Sequence, residues 1–526
     1  MSTRRRRVLW ATLTAAVLLG GTAHSLQAQR ERYDVILRGG HVVDGTGNPW
    51  FAADVGIRGD RIAAVGRLEN ATAGRVIDAS GLVVAPGFID LHTHSDEPLV
   101  ADGNAESKVR QGVTIDVLGE GSTVAPGDGL ADARWRTFTD YFEVLKRQGT
   151  SINVISHVSS EQVRRVVLGY ETRPATPAEL DRMKQLVARA MEEGAWGVVG
   201  RFESGGPRYP EEVLALARVA AAYGGNYATH HGSEGYEQDK EIAFALRVAE
   251  EVKMPVHIFH LKIRGEDLWP RLRSNVARIQ AARDRGLDVT ANQYPYTAMQ
   301  HGWSACFPLW MREGGPARFA ERLKQAATDT ALREKVKNDP EFIAWSKEHG
   351  WWEGIVLAAA STPATRKYEG MSVAQIAKQR GDQDPADTLI MLMAQERGDI
   401  RGIFHNQSEE NVDLVLRQPW VAPASDGSAL NLDVPGFPHP RSYGTNVRIL
   451  GRYVRERSVL TLEDAVRKMS SLPAQILGLR DRGQIREGFA ADVVVFDAAT
   501  VGDTSSFEKP KSYAKGVLYT LVNGVP

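Results

Sequence analysis

Apolar residues fall into two patterns along this chain. Near both ends they alternate with polar residues and turn at glycine-containing pairs. Residues 33–45 and 53–65 do so on one side, residues 491–497 and 517–524 on the other. Such alternation predicts hairpins. Strand-rich ends around a long middle predict one small β-sandwich built from 33–84 plus 483–526. The middle reads differently. Apolar extended runs recur at 87–91, 113–118, 152–155, 196–199, 226–228, 255–259, 287–291 and 420–424, with helical patterns between several of them. One helix is well marked: Thr176-Pro177-Ala178-Glu179 is a capping box with proline at the first helical position, and Gly194 ends the helix. Strands alternating with helices predict an α/β fold, a (β/α)8 TIM-like barrel over 85–482. A stretch near 300–382, rich in tryptophan and charge, breaks the rhythm. It reads as an insertion over the barrel mouth, with a packed helical decoration as the other reading.

Barrel enzymes carry their chemistry at the C-terminal ends of the strands. Strand one ends in His92-Thr93-His94, strand two in Gly119-Glu120-Gly121, strand five in Thr229-His230-His231 and strand eight in Ser425-Asp426-Gly427; strand six contains His257 and His260, followed by Lys262. Alternate residues of a strand share a face, so His92 and His94 can grip one ion. A lone strand-end histidine is ordinarily a satisfied structural residue. Five strand ends with histidine or carboxylate on one barrel point instead to metal-assisted hydrolysis. A metal ion acidifies water and polarises a carbonyl, and a nearby carboxylate moves the proton. Asp426 is the candidate for that carboxylate. Asp116 shares a face with Glu120 but lies roughly 13 Å deeper at strand rise, too far to reach an ion at the mouth.

Lys+Arg is 64 and Asp+Glu 65, a net charge of -1, which gives no support to nucleic-acid binding. Cys306 is the one cysteine, so any metal is held by histidine and carboxylate, a donor set suited to Zn2+. Arg4, Arg5, Arg6 and Arg7 precede an apolar stretch at 8–21, and Leu26-Gln27-Ala28 resembles a cleavage site. Residues 1–28 therefore read as a signal peptide, with export to the periplasm or beyond by either the general or the twin-arginine route. The apolar stretch is short for a membrane span, so no membrane attachment is expected after cleavage. No pattern in the chain sets an oligomeric state.

The strand-end residues, with the stretches 86–94, 257–262, 288–298 and 439–445, resemble the amidohydrolase superfamily, and within it the N-acyl-D-amino-acid deacylases (D-aminoacylases). The resemblance covers nearly all of the chain after the leader. It implies a barrel with a small β-sandwich and hydrolysis of the amide of N-acyl-D-amino acids or small N-capped peptides, with one or two zinc ions. It implies His230 and His260 as ligands of the tighter ion, His92, His94 and Asp426 as ligands of the second, and Asp426 as general base. Lys262 and Arg441 match positions that bind the substrate's free carboxylate. A tyrosine of Tyr294-Pro-Tyr296, with Tyr296 preferred, matches one that steadies the oxyanion. The chain also departs from these relatives. They carry a cysteine after strand two, where this chain has Glu120, readable as a bridging ligand or as a solvated glutamate. Gly232 stands where they usually have arginine, and Arg201-Phe202-Glu203-Ser204 replaces an apolar, tyrosine-containing stretch. A cyclic amidohydrolase is the nearest rival, weakened because strand four has no lysine to carbamylate. A non-catalytic exported barrel is the rival of another class, and the intact histidines and Asp426 count against it.

Overall fold

The computed structural model describes residues 32–121, 124–131, 133–201 and 209–526. The expected leader and the Phe202-Glu203-Ser204 departure lie outside the described residues. Among the described residues no helix is long and apolar enough to cross a membrane.

Eight parallel strands form the barrel. Strand one is Phe88–Asp90, two Val113–Leu118, four Gly197–Arg201, five Asn226–His230, six Val256–Ile258, seven Val289–Gln293 and eight Val421–Pro423. Strand three breaks at His157: Asn153–Ser156 pairs with strand two and Val158–Ser159 with strand four. The barrel closes at its mouth, where a parallel bridge joins Thr93 to Gly427 and the Asp426 N–H donates to the His92 carbonyl at 2.8 Å. Closure thus acts directly on the residues of interest.

The helices follow from local sequence. Helix Pro177–Glu192 opens on a completed capping box: the Glu179 N–H donates to Thr176 Oγ1 and the Thr176 N–H to the Glu179 carboxylate. Such a cap contributes about 1 kcal/mol. Met183, Leu186, Val187 and Ala190, at i, i+3, i+4 and i+7, are its buried stripe. The main core packs such stripes against the outward faces of the strands, including Val198, Tyr227 and Ile258.

Both ends of the chain meet in one seven-stranded sheet. Strand Arg32–Val42 pairs antiparallel with Phe51–Arg58 on one side. On the other it pairs with Thr72–Asp78 along its first part and with Val83–Pro86 at its end. Val493–Phe496 and Val517–Leu521 extend that edge. The insertion is a unit with its own core and its own three-stranded sheet, Ala298–Gly302, Ile355–Ala360 and Ile400–His405. Its last strand ends at His405, past the boundary near Asp382 expected from sequence. Residues 400–405 read locally as one more apolar run, and only their antiparallel pairing assigns them to the insertion.

Candidate metal centre and active site

Six of the expected residues converge at the barrel mouth in two groups that share Glu120. His92, His94, Glu120 and Asp426 form one, Glu120, His230 and His260 the other; within each group the potential ligand atoms lie within 4.8 Å of one another. Glu120 Oε2 contacts His92 Nε2 and lies 3.5 Å from His94 Nε2, while Oε1 lies 3.4 Å from His230 Nε2. Asp426 Oδ1 accepts from His94 Nε2 at 2.9 Å and lies 3.6 Å from His92 Nε2.

Backbone geometry produces this convergence. Gly119 has φ +114°, and a Cβ there would sit 2.4 Å from the His157 carbonyl oxygen. Only glycine lets strand two run so close to strand three, and that approach delivers Glu120 to the centre. His260 and Asp426 have φ of +31° and +48°, in a region that non-glycine residues avoid and that costs about 1–3 kcal/mol. Asn292 of strand seven braces the first of these turns, accepting the His260 N–H at 2.6 Å. Behind the mouth, Lys108 is fully buried. It donates to Asp90 Oδ2 at 2.8 Å and to Ser425 Oγ at 2.9 Å, tying the C-terminal ends of strands one and eight together. Asp116 turns to this network, accepting from Ser95 Oγ at 2.7 Å, and not to the mouth.

The electrostatics favour a cation. Burial alone would raise the Glu120 pKa, but His92, His230 and His94 hold it well below the ordinary carboxylate value. Burial opposes ionisation of Asp426 too, and Arg441, with His92 and His94, holds its pKa well below normal. Both are carboxylates at neutral pH. His260 is pushed well below its usual pKa by burial and by Lys262, so its imidazole is neutral and able to ligate. For His94 burial works downward, but Glu120 and Asp426 outweigh it and raise the pKa, showing how strongly this corner draws positive charge. The donor set is nitrogen and oxygen alone, and Cys306 is buried in the insertion core, so the residues fit zinc or a similar divalent ion.

A cavity of about 680 Å³ opens above the centre, walled by barrel strand ends and by the insertion. Lys262 and Arg441 line it, as expected, but each already has a carboxylate partner. Lys262 Nζ donates to Glu234 Oε1, and Arg441 Nη1 donates to Asp426 Oδ2 at 2.7 Å. Glu234 is a member of the site that sequence reading passed over. It is buried, 3.1 Å from His260 Nδ1, and its pKa is lowered to about 2, burial being outweighed by Lys262, His260 and Arg264. Its signal was its place four residues after a strand-end histidine.

Tyr296 does not face the centre, which corrects the expectation. Its hydroxyl lies 3.5 Å from the Pro440 carbonyl oxygen, and its ring packs on His439 and Phe507. Tyr294 is the neighbour of the site: Lys262 Nζ lies 5.3 Å and the Arg441 guanidinium 5.0 Å from its ring centre, and His260 packs edge-on. Strand seven ends at Gln293, so both tyrosines lie beyond it, and the preference for Tyr296 rested on the family resemblance alone. His257 is structural, bonded to Thr290 Oγ1 at 2.8 Å and to Asn292 Nδ2 at 2.9 Å.

Comparison with known proteins agrees with this geometry. A model of the amidohydrolase family matches residues 75–329 and 361–526. The chain is 34% identical to a D-aminoacylase of Alcaligenes xylosoxydans xylosoxydans, over 95% of each chain. It is 33% identical to an N-acyl-D-glutamate deacylase of the same organism, over 94% of this chain and 93% of that one. It also superposes, at TM-score 0.80 and 29% identity, on the N-acyl-D-glutamate deacylase of Bordetella bronchiseptica, covering 94% of this chain and 96% of that one; that enzyme was crystallised with zinc and a phosphonate mimic of the tetrahedral intermediate.

Proposed function

This chain belongs to the amidohydrolase family, and from that premise we propose that it is a zinc-dependent N-acyl-D-amino-acid deacylase. It hydrolyses the amide bond of N-acyl-D-amino acids to a carboxylate and the free D-amino acid. The observation that carries this reading is the pair of metal-capable groups sharing Glu120 at the mouth of a barrel.

His230 and His260, joined by Glu120, would hold one ion; His92, His94 and Asp426, with the same glutamate, would hold a second. Zinc bound there supplies Lewis-acid polarisation of the amide carbonyl and acidifies water. The remaining work belongs to the chain. Asp426, a carboxylate at neutral pH, accepts the proton of the attacking water and returns it to the leaving nitrogen. Lys262 and Arg441 offer the substrate's α-carboxylate two cations, which it reaches by sharing them with Glu234 and Asp426. Tyr294 Oη accepts from Gln407 Nε2 at 2.9 Å, which leaves its own proton to give to the developing oxyanion. Burial keeps that phenol protonated by raising its pKa well above normal.

The test is a panel of N-acetyl-D- and N-acetyl-L-amino acids with zinc-loaded protein, each D compound paired with its α-carboxamide. Turnover of the D acids is expected, with the carboxamides far poorer because the charge-assisted contacts are lost. Equal turnover of acid and carboxamide would remove Lys262 and Arg441 from substrate binding, and no turnover of any D compound would remove the activity. Tyr294→Phe is expected to lower kcat by roughly 10²-fold, as for loss of one oxyanion donor. An unchanged kcat would take Tyr294 out of the mechanism.

Export is part of the same reading. Arg4 to Arg7 and the apolar stretch that follows support a cleaved leader and a periplasmic or secreted enzyme. The terminal sheet, which forks along Arg32–Val42 and encloses Leu37, Val55, Val84 and Val495, supports a small β-sandwich built from both termini.

A further inference from the structure

Lys262, Arg264, Arg312, Arg401 and Arg441 are the cations among the described residues that line the cavity. Three are committed to carboxylates of the protein itself: Lys262 to Glu234, Arg264 to Glu348 at 2.9 Å and Arg441 to Asp426. Arg312 donates through Nε to the Phe307 carbonyl at 2.9 Å. Arg401 is different. It is exposed on the cavity wall, and its guanidinium has no hydrogen bond or ion pair with any described residue. Asp399 lies on the same wall, yet no ion pair joins the two.

The insertion sheet keeps this guanidinium clear. Arg401 stands in register with Gly302 on one side and Ala359 on the other. Cross-strand neighbours are what ordinarily cover a side chain on a sheet face. Here one has no side chain and the other only a methyl group. An uncovered guanidinium presents a planar fork that matches a carboxylate through two parallel bonds. A solvated surface arginine would have the same freedom; what sets this one apart is its place on the wall of a cavity whose floor is the metal centre. The substrate's α-carboxylate is accounted for by Lys262 and Arg441, so a group held by Arg401 is a second one.

We propose that Arg401 forms a subsite for a second carboxylate on the substrate, which makes acidic N-acyl-D-amino acids the preferred class. The inference rests on the deacylase reading and names the substrate within it. The same chemistry has two sources, the amino-acid side chain or an acidic acyl group.

Two matched pairs test this: N-acetyl-D-glutamate against N-acetyl-D-glutamine, and N-succinyl-D-leucine against its succinamide analogue. The acid of one pair is expected to exceed its neutral partner about tenfold in kcat/KM and in affinity, as one charge-assisted contact provides. The glutamate pair locates the source in the side chain, the succinyl pair in the acyl group. Arg401→Met is expected to bring the ratio close to one, Arg401→Lys to keep part of it and Arg401→Glu to reverse it. The proposal is overturned if wild type shows no preference for the acid in either pair, or if Arg401→Met keeps the wild-type ratio. Calorimetric affinities measured in an Asp426→Asn background read the same ratio without turnover. A protein that binds the acid selectively but hydrolyses nothing would therefore count against deacylation and not against the subsite.

Discussion

Replacing Asp426 by asparagine is expected to cut kcat by about 10²–10⁴-fold while the fold survives, the range that a lost general acid–base is worth. The amide is nearly isosteric with the carboxylate. It can still accept the Arg441 Nη1–H that now reaches Asp426 Oδ2 at 2.7 Å, and the backbone bond from residue 426 to the His92 carbonyl is untouched. What it cannot do is take a proton from water. Asp426 also contacts His94 and His92, so part of the loss will appear as weaker metal retention. Two readings separate these contributions: kcat at saturating zinc, and zinc content after dialysis. Near-normal kcat in folded, zinc-replete Asp426→Asn would move the proton transfer to another group.

The second large effect is expected at Glu120. Its two carboxylate oxygens face different histidines, Oε2 towards His92 and His94 and Oε1 towards His230. Glu120→Gln keeps the shape and removes the charge, and a neutral amide is a poor ligand for a dication. Metal affinity should fall by more than the roughly 10–100-fold that even outer partners of a ligand are worth. Glu120→Cys should restore part of the binding, because a thiolate is again an anionic ligand. Zinc content by elemental analysis, read on dialysed protein, decides. Occupancy in Glu120→Gln equal to wild type would leave Glu120 as a buried hydrogen-bonding residue and assign the missing ligand to water. Because this readout is a stoichiometry, it does not depend on which substrate the enzyme prefers.

These effects were foreseeable from sequence to different degrees, for reasons that can be located. His92 and His94 were legible because their spacing is a local property: in an extended segment, residues i and i+2 share a face whatever the rest of the chain does. His230, His260 and Asp426 were legible because each ends an apolar run, and a parallel barrel puts all such ends at one mouth. Glu120 was recognisable as an oddity at a strand end, but its sharing between two groups of ligands depends on Gly119 letting strand two approach His157. The pair Tyr294 and Tyr296 shows where the local rule stops. Residues i and i+2 share a face in a strand, so no local rule chooses between these two rings; the preference for Tyr296 came from family resemblance, and past the end of strand seven the fold packs that ring on His439 and Phe507 instead.

By itself, the sequence determined the barrel, the positions of the metal-capable residues and the capped helix that opens at Thr176, all products of periodicity and of signals a few residues long. Only the tertiary structure decided which charges are already spent. Glu234 on Lys262, Asp426 on Arg441 and Glu348 on Arg264 are pairings across 28, 15 and 84 residues of chain. Arg401 reaches the cavity wall through antiparallel pairing with a segment about a hundred residues earlier, a contact of the kind whose loop-closure cost no local pattern records. Ion pairing depends on distance through space, and in a chain folded back on itself that distance is set by strand order and register.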